Sequence, residues 1–264
     1  IHERLVGSEM CIRDRLYTTG SDALTPIVLY DYQPSRKGSC AQNFLEGFRG
    51  LVQCDGYQGY NKLEDVILVC CLAHARRKFF EAVPAARRKR LKLLDINSDE
   101  AIEDINLPDE EEAKQLLPAE IGLLYCNKLF YLERTLKDLN PEERKQQRDV
   151  LEQPVWDQFW NWLDTLHPTG GSKLGKAVDY AQNHHDTLMD YLLDGRCEIS
   201  INRAERKAKS YAIGRKAFLF HTSETGAGAS AVMYSIVETA KANNLNIFQY
   251  LYTVLLYICL LYTS

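Results

Sequence analysis

The stretch Leu51-Val-Gln-Cys-Asp55-Gly-Tyr-Gln-Gly-Tyr60 decides how the rest of the chain is read. A short apolar run ends at Asp-Gly, so the pattern predicts a β-strand with a carboxylate at its tip. The residues alone leave two readings of Asp55 open. Asp-Gly after a strand is the commonest tight-turn signal and needs no function. A strand-tip carboxylate is also where metal-dependent chemistry often places a ligand, which makes Asp55 a candidate site residue.

On the amino-terminal side, Ile27 to Tyr32 is a β-branched and aromatic run closed by Pro34-Ser-Arg36, the pattern of a strand followed by a turn. Ala41 to Phe48 then sets Phe44, Leu45 and Phe48 at helical spacing, with Gly47 and Gly50 ending the element. The order strand, helix, strand favours an α/β layer. On the carboxyl side, Val66 to Cys71 reads as a buried strand leading into a basic helix from Ala73. From Arg77 to about Pro168 apolar residues recur at three and four positions, the mark of a helical region.

Within that region Asn140 is a plausible cap, with Pro141 at the first helical position, and Trp156, Phe159, Trp160 and Leu163 form an apolar stripe. Thr169 to Ser172 is a break. Leu174 to Leu193 is again helical, stopped by Asp194-Gly195. Asn202 opens a helix through about Tyr211, and Ala227 to Ala242 forms another.

The chain has 264 residues, 45% hydrophobic and 26% charged, enough to bury a sizeable core and unlike a disordered segment. Its net charge of −4 hides strong segregation. Between His74 and Lys92 eight basic residues face Glu81 alone, whereas Asp95 to Glu112 holds nine acids and no Lys or Arg. Eight cysteines scattered without a repeating frame suit a reducing compartment, so a cytoplasmic location is expected. The apolar run Tyr250 to Tyr262 is too short for a bilayer, which takes about 20 residues, so no membrane partner is expected. Val6 to Arg15 resembles translated sequencing-adapter sequence, as does Ile258 to Ser264. Residues 1–15 and 258–264 are therefore expected to be a non-native leader and tail.

A second constellation lies at Asn202-Arg-Ala-Glu205-Arg-Lys-Ala-Lys209 and continues to Gly214-Arg215-Lys216. Arg203, Arg206, Lys207, Lys209, Arg215 and Lys216 surround one acid, Glu205. Asn202 with Glu205 fits a capping box, and Glu205 with Lys209 an i,i+4 ion pair. The same acid could instead complete a divalent-metal site among cations that hold phosphates. Cys71 and His74 have the spacing of a metal-ligand pair, but zinc needs about four ligands and no second pair stands at fitting distance. Arg76, Arg77 and Lys78, interleaved with Phe79 and Phe80, suit either a solvated face or a helix lying on a phosphate backbone.

Seven ordered blocks carry a resemblance. They are Tyr30 to Arg36, Phe44 to Phe48, Asp55 to Asn61, Cys71 to Phe79, Ile201 to Glu205, Gly214 to Lys216 and Ser230 to Ile236. In this order, from about Leu16 to Leu256, the chain resembles the transposases of the insertion sequence 66 family.

The resemblance implies an RNase H-like α/β core with an Asp-Asp-Glu metal site, interrupted by a helical insertion. It puts the core in residues 16–75 and 171–257 and the insertion in 76–170. The second Asp falls at Asp55 and the Glu at Glu205, and Cys71 with His74 matches a Cys-x-x-His signature that supports the core and its DNA contacts. Two Mg²⁺ (or Mn²⁺) ions, DNA as substrate, a homo-oligomeric active complex and association with the nucleoid are implied with it. One ion would activate water and then the freed 3′-hydroxyl, and the other would stabilise the leaving oxygen.

The first Asp has no counterpart, and Asp22 and Asp31 are poor substitutes. Ile201 also stands where the family usually has Asn, and Ala217-Phe218 where it has Asn-Trp. The expected chain is thus a core truncated of its first strand, inactive in DNA cleavage and strand transfer. The alternatives are a non-catalytic DNA-binding or regulatory fragment using the basic helices, and an RNase H-like nuclease that cuts without joining.

Overall fold

The computed structural model describes residues 3–9, 14–33, 35, 37–88, 105–218 and 223–263, and the chain divides into two compact units. The first comprises residues 1–68 and 201–264, the second Val69–Ser200. The end of the expected turn at Pro34–Arg36, the basic residues 89–92 and the acidic run up to 104 fall outside the described residues.

The sheet has five strands: β1 (Glu3–Glu9), β2 (Asp14–Thr19), β3 (Val28–Tyr32) and β4 (Gly50–Cys54) in the first unit, and β5 (Val66–Cys70), which begins there and ends in the second. They lie in the order β3-β2-β1-β4-β5. β2 runs antiparallel to β1 with Ser8 opposite Leu16, and β3 runs antiparallel to β2 with Tyr30 opposite Leu16. β4 is parallel to β1, with Val6 level with Gln53.

This sheet corrects the expectation of a core without its first strand, because Glu3–Glu9, inside the expected leader, is the central strand. Strand pairing is made by backbone N–H and C=O groups that every non-proline residue carries, and β2 and β4 each need a partner on that side. An Arg-Leu-Val segment meets that need whatever its side chains do for function.

Between β3 and β4 lies α1 (Gly38–Phe44), shorter and earlier than the expected helix, since the chain turns through Gly47 in the left-handed region. Phe44 stacks on Tyr17 with ring centroids 4.2 Å apart. After β4 a 3₁₀ turn (Gln58–Lys62) buries Tyr60.

The second unit is helical. It comprises α2 (Leu72–Ala82), α3 (Ala85–Arg88), α4 (Glu110–Ala113), α5 (Pro118–Thr135), α6 (Pro141–Leu151), α7 (Gln153–Asp164), α8 (Lys173–Asn183) and α9 (His185–Met189). It is longer at both ends than the expected insertion. α2 packs between α5 and α8. Its buried Phe79 lies against Gly122 of α5, where an added Cβ would come within 2.4 Å of the ring, so glycine permits the close approach. The expected stripe is present: Trp156, Phe159 and Leu163 are buried, and Phe159 meets Phe79 edge-on at 6.0 Å.

Local signals set the helix ends. Asn140 caps α6, its Oδ1 accepting from the Glu143 N–H at 3.0 Å, with Pro141 next in line. Ser172, in the expected break, caps α8. The single helix expected over Leu174–Leu193 is instead three pieces, α8, α9 and a 3₁₀ turn at Asp190–Leu193.

A buried arginine ties this unit together. Arg148, fully buried on α6, donates Nε and Nη2 to the two Glu133 oxygens of α5 at 2.6 and 2.9 Å. It also donates to the carbonyls of Tyr191, Asp194 and Cys197. Beside it Glu152 accepts from the Tyr191 hydroxyl, which in turn accepts from Trp156 Nε1. Burial first, and the neighbouring Glu133 second, push the Glu152 carboxyl well above its ordinary value, so it stays protonated.

The chain returns to the first unit with α10 (Asn202–Phe218), α11 (Glu224–Ala242) and α12 (Ile247–Thr263). α10 extends past the expected end at Tyr211 and packs on β1 and β2. α11 covers the outer edge of β3. Thr239 Oγ1 accepts from Val28 N–H and donates to Val28 C=O, both at 3.0 Å, while Ser235 Oγ accepts from Tyr30 N–H at 2.8 Å. Asn243 Nδ2 donates to Pro26 C=O at 2.8 Å.

The match is metric. Four helical residues rise about 6.0 Å and two strand residues about 6.6 Å, so a polar residue at every fourth helix position meets every second strand residue. An edge strand otherwise offers unpaired backbone to other chains, and this helix occupies it. No helix among the described residues is long and apolar enough to cross a membrane.

Candidate active site

Asp55 follows β4 directly, and its Oδ1 accepts from the Tyr57 N–H at 3.0 Å, an Asx turn made possible by Gly56 at φ 83°. The turn reading is thus correct, and it leaves the second carboxylate oxygen out of the turn.

The sheet register says where Asp55 stands. Val6 is level with Gln53, so continuing the parallel pairing by two residues brings Ser8 level with Asp55. Ser8 is opposite Leu16, and Leu16 opposite Tyr30. Residues level with one another occupy the same face. The Tyr30 ring stacks on Tyr211 of α10 at 5.5 Å and meets Tyr234 of α11 at 5.8 Å. Continued one residue past the end of β4, this register sets position 55 on the face that α10 covers, while the Asp55 charge also acts on the Tyr60 hydroxyl under α1.

Glu205 lies in the first turn of α10, between two anchors. Arg203 Nη2 donates to Thr19 C=O at 2.6 Å, and Tyr30 Oη donates to Lys207 C=O at 2.9 Å. The first anchor holds the helix start at the carboxyl end of β2, and the second holds its next turn over β3. Both acids are half-buried. Among the described residues no group of three or more His, Cys, Asp or Glu side chains gathers to hold a metal ion. The donors present fall short of a complete centre.

The opposite face, under α1, carries a buried polar cluster that sequence reasoning missed. Arg15, on β2, is buried and donates Nη2 to Lys37 C=O at 3.1 Å. Tyr17 and Tyr60 are fully buried near it, and burial pushes both hydroxyls up. Asp31, opposite Arg15, is also raised, by burial, and accepts from Gln33. Asp31 is thus committed to the other face, consistent with its being a poor substitute for the first Asp. Asp22 lies in the exposed β2–β3 connection.

The basic candidates separate into two groups. Arg76 Nε donates to Asn127 Oδ1 at 2.6 Å, Lys78 Nζ lies 5.0 Å over the Tyr180 ring, and Lys207 Nζ pairs with the buried Glu238 at 3.2 Å. Arg203 holds Thr19. These side chains serve the fold. Arg77, Arg206 and Lys209 are exposed. At about 100° per residue, Lys209 falls about 40° and Arg206 about 100° round α10 from Glu205, so two exposed cations lie to one side of the acid. Arg215 and Lys216 occupy the end of α10, their side chains outside the described residues. Cys71 is buried immediately before α2, its carbonyl accepting from the His74 N–H at 3.1 Å, and both belong to the helical unit.

The transposase IS66 family model matches residues 13–229. The chain belongs to the IS66 transposase family. Similar proteins include three from Sinorhizobium fredii (strain NBRC 101917 / NGR234), each an uncharacterized protein. They are y4hP, 28% identical over 254 residues, y4jD, 30% over 241, and y4qI, 27% over 233. The alignments cover 90%, 87% and 84% of this chain but 43%, 42% and 38% of those proteins. The chain thus spans less than half the length of these relatives. No solved structure matches it.

Proposed function

We propose that this chain is the catalytic segment of a DNA transposase whose parent cleaves and joins DNA strands at Asp55, Glu205 and a third acid on β1. The observation that carries the reading is the sheet itself. Its order β3-β2-β1-β4-β5, with β1 and β4 parallel and β2 reversed, supports the reading of an RNase H-like core. In such a core the ends of the two central strands and a helix on the same face converge, and we assign Ser8, Asp55 and Glu205 to those positions.

Divalent magnesium or manganese, when bound to a full set of acids, supplies Lewis acidity at a phosphate. This chain has two of the acids and Ser8 in place of the third, so we assign it no cleavage activity as it stands. Its own residues supply the rest of a site. Asp55 is fixed by its turn, Glu205 by the anchors of α10, and Arg206 and Lys209 offer cations to a phosphate backbone beside the acid. DNA is the expected partner.

The test is gain of function. Ser8→Asp, alone and with Asp55→Ala or Glu205→Ala, is assayed for Mg²⁺-dependent nicking of DNA carrying the element's ends. Nicking by the single variant that both alanine changes abolish supports the site, and strand-transfer products separate a transposase from a nuclease that only cuts. Nicking that persists without Asp55 or Glu205, or no nicking by any Ser8 variant, counts against it.

A further inference from the structure

A buried charge on α11 reaches the helix that carries Glu205. Glu238 of α11 is 2% exposed, and its carboxylate accepts from Lys207 Nζ at 3.2 Å and Lys241 Nζ at 2.7 Å. Burial works against its ionisation, yet the hydrogen bonds from Lys241 and Lys207 hold it below its ordinary value, so it is a carboxylate at neutral pH. Lys207 is two residues beyond Glu205, and its backbone carbonyl is taken by Tyr30 of β3. The same α11 is registered on β3 by Ser235 and Thr239.

A closed triangle results. α11 is keyed to the strand, Glu238 keys α10 to α11, and Tyr30 keys α10 back to the strand. The Tyr30 and Arg203 bonds hold α10 along the sheet, and the buried Tyr211 ring packs against Tyr30 and Tyr234. The Lys207 ammonium, reaching a second helix from the same residue, adds a side-chain tie between α10 and α11. The Lys207 to Glu238 pair thus acts on α10 two residues from Glu205.

We infer that Glu238 is a positioning residue for Glu205, acting through Lys207. It touches neither a substrate nor the other acids. The inference rests on the proposed pairing of Asp55 with Glu205, and it assigns Lys207 to the interior of the fold and not to DNA.

Hydrogen exchange on the chain as it exists tests it, residue by residue, for Glu238→Ala, Glu238→Gln, Lys207→Met and Thr239→Val. Loss of a hydrogen bond to a charged group predicts exchange roughly tenfold faster or more over residues 206–211 in Glu238→Ala and Lys207→Met. Glu238→Gln, which keeps an acceptor for Lys207, gives a smaller change. Thr239→Val instead speeds exchange at Val28 and leaves 206–211 as in wild type, which separates positioning from general loosening. Unchanged exchange over 206–211 in Glu238→Ala and Lys207→Met, or equal acceleration by Thr239→Val, overturns the inference. Mn²⁺ binding measured alongside keeps the two readings apart. If it is indifferent to Asp55→Ala and Glu205→Ala, the acid pairing fails, while the exchange data still decide whether Glu238 fixes α10.

Discussion

Removing one rung of the polar ladder between α11 and β3 should open the sheet edge at one place. Thr239→Val keeps the side chain's shape and deletes the hydroxyl that serves both the N–H and the C=O of Val28. A buried backbone group left without a partner costs about 1–3 kcal/mol, and since Thr239 is only half-buried the lower part of that range applies. A local loss of about 1–2 kcal/mol corresponds to roughly five- to thirtyfold faster exchange of the Val28 amide. Tyr30, whose N–H is held by Ser235, should change much less.

Ser235→Ala should give the reciprocal pattern, fast at Tyr30 and slow at Val28. The double variant exposes the edge and should associate through it, visible as concentration-dependent mass in light scattering. Val232→Ala, at a position 58% exposed on the same helix, is the control for an unspecific effect. Val28 and Tyr30 amides that exchange as in wild type in all the ladder variants would refute the ladder and the way α11 is placed on β3.

Four further outcomes follow from the same contacts. Arg148→Met leaves the buried Glu133 carboxylate without its partner and should destabilise the helical unit by about 3–5 kcal/mol, read from urea unfolding followed by tryptophan fluorescence. Glu152 is protonated in the folded unit but ionises near its ordinary 4.5 when unfolded. Unfolding therefore releases a proton, stability falls as pH rises above that value, and Glu152→Gln should flatten the decline between about pH 5 and 8. At Gly195 an added Cβ would sit 1.8 Å from the Pro141 carbonyl oxygen, so Gly195→Ala should lower the melting temperature where Gly170→Ala, with open space, should not. Replacing Arg206 and Lys209 by Gln should reduce the salt slope of duplex DNA binding by up to about 2, whereas Lys207→Met should leave it nearly unchanged.

Much of the architecture was legible in the sequence because it rests on local signals. The β-branched runs at Val28–Tyr32 and Val66–Cys70, the Asn140-Pro141 and Ser172 helix starts, and the Trp156–Leu163 stripe are each decided within a few residues. Asp55 and Glu205 were legible as candidates through motif and charge contrast. β1 was not. Its residues carry no period, and the sheet supplies its order through backbone pairing with β2 and β4. Glu133, Arg148, Glu152 and Glu238 were invisible for another reason. Charged residues on helices read as solvated, and only tertiary packing reveals that Arg148 and Glu152 are fully buried. The basic candidates show the same limit, since charge alone did not distinguish Lys207, turned to Glu238, from the exposed Arg206 beside it.

The account's central claim is that Asp55 and Glu205 face one another across a cation site on the α10 side of the sheet. Anomalous diffraction from Mn²⁺-soaked crystals of the Ser8→Asp protein tests it most directly. The account predicts manganese within about 2 Å of an oxygen from each acid, as one ion or as a pair about 4 Å apart. Manganese bound elsewhere, with the two carboxylates too far apart for one ion or such a pair to bridge, would contradict it.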